Sequence, residues 1–392
     1  MENAVLHSDS AISGEVMARH YATGQPIRLE WKEGCISRIG LAPDGPDDLW
    51  IAPALVDVQI NGYGGVDFQQ DNLSEEDLLS AGRQLRNDGC ATWLLTLITD
   101  DWARLMARLR HLRKLRARSA ELRSAIAGWH IEGPFLSAEP GFRGAHNPDV
   151  MCDPKPEHIR ELREITENDP VLLTLAPERA AIACISLACS LGIKVSLGHT
   201  NASQEVLMQA VRAGATGFTH LGNGCPRELD RQDNILWRAL EIPELTVSLI
   251  VDGVHVSPAL FRLFHHVLRP ESIFYTTDAM AAAGAPPGKY KIGRLELEVG
   301  EDQIVRLPGT RNFAGSALRP IDGVLRAAQM LGRPWQEVWP RFTAAPGRFM
   351  GLTAGELTVG APARFCLLEE KKAGQVRLIR TDAPFRGFEE SG

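Results

Sequence analysis

Eight short apolar runs with helix-like segments between them constrain the fold of this chain more than any other feature. They are Ala54–Ile60, Ala91–Ile98, Ala125–Ile131, Val171–Ala176, Ile193–Leu197, Gly217–Leu221, Leu245–Val251 and Ile273–Thr277. Near-continuous apolar strands separated by helical patterns mark parallel βα units covered on both faces. Eight units over roughly 300 residues fit a (β/α)8 barrel with insertions. The segment Asp101–Ala125 shows the helical period, with Leu105, Leu109, Leu112 and Leu122 on one stripe. It also carries Arg104, Arg108, Arg110, Arg113, Lys114, Arg116, Arg118 and Arg123. In a chain of net charge −7 these read better as the solvated face of an outer barrel helix than as a docking patch.

The two ends have another texture. GEVMARH, QPIRLEWKEG and CISRIGLAPDG alternate and are punctuated by Gly, Pro and Asp, and GELTVGAPARFCLLEEKKAGQVRLIRT does the same near the other end. The expected class is α/β: a TIM-like (β/α)8 barrel over 51–348, with a small β-sandwich domain built from 1–50 and 349–392. Apolar residues at 44% and charged residues at 23% suit a soluble globular protein. The acidic balance argues against a nucleic-acid partner. The longest apolar stretch, Ala180 to Ile193, is interrupted by polar residues and falls short of the ~20 that a membrane-spanning helix needs. MENAVLHSDSAISGE carries two glutamates and an aspartate and no apolar h-region, and the seven cysteines include no CxxC pair, so a cytoplasmic protein is expected.

Barrels of this type carry their chemistry at the C-terminal ends of the strands. Six of the eight runs end in polar, metal-capable or titratable residues: Asp57-Val-Gln59-Ile-Asn61, His130-Ile-Glu132, His199-Thr200, Thr219-His220, Asp252 to His255, and Thr277-Asp278. Four of the 11 histidines fall there. Glu132, His199 and His220 would converge at the barrel mouth. One carboxylate and two imidazoles form the ligand set of a catalytic divalent ion. Zinc is the first choice, with iron, cobalt and manganese also compatible. Any one of the three alone reads as a satisfied core residue; the three together favour the metal. His130 shares a strand face with Glu132 and reads as a donor steadying it. Asp278 is placed to take and return a proton, or else caps a turn. His146, in GFRGAHNP, either polarises a substrate carbonyl or bonds backbone. Asn223, Arg231 and His255 add donors suited to an anionic group, with a surface salt bridge the plainer account of Arg231.

GWHIEGPF, GAHNP, SLGHTNAS, THLGNG, VDGVHV, TTDAMAAAG and FAGSAL, in this order, resemble the N-acetylglucosamine-6-phosphate deacetylase family of the amidohydrolase superfamily. The likeness runs from ALVDVQINGYGG to TAAPGRFMGL…GELTVGAPARF. It implies metal-dependent release of acetate from a 6-phosphorylated N-acetyl amino sugar by a homodimer or homotetramer. Glu132, His199 and His220 match the family's metal ligands, Asp278 its general acid/base, and His146 the histidine that polarises the acetamide. Ala145 beside it, His255, Asn223 and Gly224 match substrate contacts. Arg231 matches the arginine offered to the sugar phosphate of the neighbouring subunit, and Phe313, Ala314 and Gly315 a loop over the substrate. Two features depart from the pattern. Gln59 and Asn61 stand where many amidohydrolases place two histidines for a second metal, which implies a one-metal site. CPRELDRQDN also differs from the expected phosphate-arginine string, so Arg227 and Arg231 both remain candidates. A cyclic-amide hydrolase is disfavoured because no lysine stands at a strand end. A catalytically inactive binding protein is disfavoured because the ligand set is intact.

Overall fold

The structure, a computed structural model, describes residues 12–308, 313–371 and 375–384. Its centre is one sheet of eight parallel strands in chain order: Leu55–Ile60, Cys90–Ile98, Ile126–Glu132, Val171–Leu175, Lys194–Leu197, Gly217–Phe218, Thr246–Ile250 and Ile273–Thr276. Every expected run holds one of them. The reason is burial: the first and fourth strands are buried along their whole length, so neither face calls for polar alternation.

The first and eighth strands close the ring. Ile60 bridges Ala279 in parallel, and the Asn61 amide donates to the Ala279 carbonyl at 2.7 Å. Beneath them the fully buried Asp57 carboxylate accepts from Thr277 N at 2.9 Å, from both the Thr276 and Thr277 hydroxyls, and from Gln59 N at 3.1 Å. Burial raises the Asp57 carboxyl, and these donors oppose the rise. A charged acceptor this deep is tolerable only because each lone pair has a partner.

Helix Trp102–Arg118 buries Leu105, Leu109 and Leu112. Most of its basic face is spoken for. Arg104 and Arg108 pair with Asp71, Arg110 with Glu161, Arg113 with Glu167 and Arg116 with Asp169. These are the stitches between an outer helix and its neighbours, and the solvated-helix expectation holds.

The chain ends form a separate six-stranded, mainly antiparallel sheet, the β-sandwich part of the fold. In spatial order it runs Gln375–Asp382, Phe365–Lys371, Leu49–Pro53, Gly14–His20, Pro26–Lys32 and Cys35–Leu41. Ala18, Leu29, Trp31, Ile36, Ile51 and Phe365 make its core. A three-stranded insertion, Gly288–Ile292, Leu295–Val299 and Val305–Arg306, follows the eighth barrel strand. Its turn is tied to the barrel by Gly293 N, which donates to Asp67 Oδ2 at 2.9 Å. No helix among the described residues is long and apolar enough to cross a membrane.

Candidate active site

Glu132 is the last residue of the third strand. His199, His220 and Asp278 each lie two residues past the end of theirs. All three have left-handed backbones, with φ of 49°, 33° and 51°; among the described non-glycine residues only three others do. Such a conformation costs about 1–2 kcal/mol per residue and persists only where the surroundings enforce it. The strand ends are bent so that these side chains face one another.

His220 Nε2 lies 2.8 Å from Glu132 Oε1, His199 Nε2 lies 3.3 Å from the same oxygen, and His146 Nε2 lies 4.0 Å from Oε2. Ligand atoms of Glu132, His146 and His199 all fall within 4.8 Å of one another. The structure therefore brings the three expected ligands together and adds His146 to them. Burial acts against the Glu132 charge, yet the His199 and His220 imidazoles hold its carboxyl well below the usual range. No Lys or Arg among the described residues is paired with it.

The hydrogen bonds behind the rings show that this group suits a cation. His199 Nδ1 sits 2.8 Å from the Phe142 carbonyl, which can only accept. A neutral His199 then carries its proton on Nδ1 and turns an Nε2 lone pair toward Glu132. His146 repeats the device: Nδ1 lies 2.8 Å from Thr99 Oγ1, whose own proton goes to the Glu132 carbonyl. Buried His220 Nδ1 has no partner among the described residues. These outer partners would free Nε2 lone pairs of His199 and His146 for a positive ion, in place of the N–H donation that otherwise holds the Glu132 carboxyl down. Partners that fix the tautomer are the usual company of metal ligands.

Asp278 is nearly buried. Burial, reinforced by the Glu132 charge, pushes its carboxyl up to about 7. Its Oδ1 accepts from Asn61 Nδ2 at 2.7 Å and Gln59 Nε2 at 3.0 Å. The two amides noted only as absent metal ligands are thus clamps on the candidate base. Ser316, which sequence reasoning missed, donates its N–H to the Asp278 carbonyl at 2.9 Å. It lies within the FAGSAL string, the one signal that pointed there. Thr99 left no signal at all.

The remaining expected residues are less uniform. His130 does not bond the Glu132 side chain. Its nitrogens meet the hydroxyls of Thr174 at 2.8 Å and Thr96 at 3.4 Å, so its steadying role is corrected to a link in the barrel floor. His255 Nδ1 lies 2.6 Å from Asp252 Oδ2, and its ring packs on Phe313 at 5.2 Å. Ala145 and Ala314 join one apolar cluster behind the eighth strand end. Gly315 has φ 68° and sits against Met280. Asn223 N donates to the His220 carbonyl at 2.9 Å. Arg227 and Arg231 are exposed and pair with no described residue, so the salt-bridge account of Arg231 does not hold.

Gly144 and Gly224 press on the His199 ring. A Cβ on either would come within 2.9 Å of it, and both have positive φ, 55° and 60°. Gly144→Ala should therefore displace His199 and cost about 10²-fold in kcat/KM, the scale of a 1 Å misplacement. Steady-state kinetics beside an unchanged circular-dichroism spectrum checks this.

No family model matches the chain. N-acetylglucosamine-6-phosphate deacetylase of Mus musculus is 31% identical over 360 residues, covering 87% of this chain and 85% of that one. N-acetylgalactosamine-6-phosphate deacetylase of Escherichia coli O157:H7 is 27% identical over 322 residues, 81% of this chain and 83% of that one. Among solved structures, an aspartate-to-alanine mutant of N-acetyl-D-glucosamine-6-phosphate deacetylase from Mycobacterium smegmatis, in complex with N-acetyl-D-glucosamine-6-phosphate, superposes with a TM-score of 0.83 at 29% identity. The match covers 94% of this chain and 98% of that one.

Proposed function

Because the chain belongs to the N-acetylglucosamine-6-phosphate deacetylase family of the amidohydrolase superfamily, we propose that it hydrolyses the acetamide of N-acetylglucosamine 6-phosphate to acetate and glucosamine 6-phosphate. The observation that carries this reading is the buried Glu132 carboxylate walled by imidazoles.

Glu132, His199 and His220 would hold one divalent ion, zinc by preference, with His146 beside them. When bound, such an ion supplies Lewis-acid chemistry, making water acidic and polarising a carbonyl. The chain's own groups do the rest. Asp278, with Oδ1 pinned by Asn61 and Gln59, has its second oxygen to take a proton from the attacking water. The water oxygen bonds to the acetamide carbon, and the carbon–nitrogen bond breaks. Asp278 returns its proton to the departing nitrogen, and the acid proton of the new carboxyl passes to the amine, so water and amide become acetate and an ammonium group. His146 is assigned to the acetamide carbonyl and its developing negative charge.

Asn223, Gly224, His255 and the loop Phe313 to Gly315 are assigned to the sugar, and Arg231 to the phosphate of a partner subunit in a homodimer or homotetramer. Seven cysteines, none disulfide-bonded, support a cytoplasmic setting. The relative from Escherichia coli O157:H7 keeps the galactosamine epimer as a second reading. Acetate release from both 6-phosphates, and from the unphosphorylated sugars, tests the proposal. The glucosamine form should be cleaved fastest, and faster turnover of the galactosamine form would replace the sugar while leaving the chemistry.

A further inference from the structure

Arg143 occupies an unusual place in the loop between the third strand and the ligand group. The residue before it, Phe142, gives its carbonyl to His199 Nδ1 at 2.8 Å. The residue after it, Gly144, lies so close to the His199 ring that a Cβ would approach to 2.9 Å. Two residues on either side, the loop touches two other segments assigned to the substrate. Gly141 packs on Pro226, beside Arg227, and Ala145 packs in the cluster that contains Ala314. Arg143 is half-buried there, and its guanidinium has no ion pair or hydrogen bond with a described residue.

The other cations near the mouth are differently placed. His255 is 2.6 Å from Asp252, whose carboxyl is held below its usual value chiefly by that imidazole once burial is overcome. The His255 ring is therefore already engaged by a neighbouring carboxylate. Arg227 and Arg231 are exposed. An arginine stays charged at any working pH, and the Arg143 guanidinium nitrogens, unpaired with any described residue and none of them buried, are open to an arriving anion.

We infer that Arg143 is the fixed positive charge that this subunit itself contributes to the anionic end of its substrate. The inference rests on the phosphorylated-sugar reading and deepens it. Any contribution from a neighbouring subunit's arginine would add to this charge. A guanidinium also meets phosphate through paired N–H donors, which a lysine cannot reproduce.

The test is kcat/KM of wild type, Arg143→Ala and Arg143→Lys on N-acetylglucosamine 6-phosphate and on N-acetylglucosamine, with inorganic phosphate as a competing probe. The ratio between the two substrates should fall about 10- to 100-fold in Arg143→Ala and less in Arg143→Lys. Inhibition by inorganic phosphate should weaken in the same order. Unchanged thermal midpoints identify folded variants. If wild type prefers the phosphorylated sugar and Arg143→Ala keeps that preference within twofold, this inference fails alone. Equal losses on both substrates also overturn it, by making Arg143 a support for His199. A wild type indifferent to the phosphate overturns the substrate reading, and this inference with it.

Discussion

Asp278→Asn is expected to keep its divalent metal and lose at least ~10²-fold in kcat, the usual scale for a positioned general acid/base. The amide has nearly the same shape as the carboxylate, and no ligand of the proposed ion is touched. What changes is chemistry: an amide cannot take up a proton from water. The clamp sharpens the expectation, because Asn61 and Gln59 direct two N–H donors at one carboxylate oxygen. In the variant both donors meet whichever amide atom takes that position, and they favour the oxygen, which still accepts, over an NH2 group, which would repel them. KM should move little beside kcat. Metal content by elemental analysis, set beside kcat, decides the matter. A variant keeping more than a tenth of wild-type kcat would assign the proton to another group.

His199→Ala should lose metal and activity together. One of three protein ligands disappears, and with it the Nδ1 bond to Phe142 that fixes the loop. Even partners one step outside a metal site are worth roughly 10–100-fold in affinity, so removing a ligand should cost at least ~10²-fold. Titration of stripped protein with zinc reads the loss directly. His146→Ala separates two roles for that residue. Its Nε2 stands 4.0 Å from Glu132 Oε2, near enough to join the ligands. Retained metal with a fallen kcat assigns His146 to the acetamide carbonyl, whereas loss of both makes it a ligand.

The barrel was readable because its strands are buried on both faces, which leaves apolar runs in the sequence wherever a strand must lie. Residues at the ends of those runs could be named for the same reason: the strand direction carries Glu132, His199, His220 and Asp278 to one mouth. The left-handed backbones at three of them were not readable. They arise from tertiary constraint and leave no mark in residue type. His146 sits on a loop whose path no periodicity describes, so its closeness to Glu132 emerged only in three dimensions. Gln59 and Asn61 were noticed for the imidazoles they replace; their bonds to Asp278 depend on a strand 217 residues away in the chain from Asn61. The insertion from Gly288 to Arg306 resembled ordinary alternating β-sequence, and nothing local marked it as separate from the barrel.

The most direct measurement is acetate release from N-acetylglucosamine 6-phosphate by three preparations: protein as purified, protein stripped by chelator, and stripped protein resupplied with one equivalent of zinc per chain. Acetate and glucosamine 6-phosphate should appear in equal amounts, cease on stripping and return on resupply. Failure to release acetate with a full complement of metal, or turnover that survives complete stripping, would contradict a metal-dependent deacetylase.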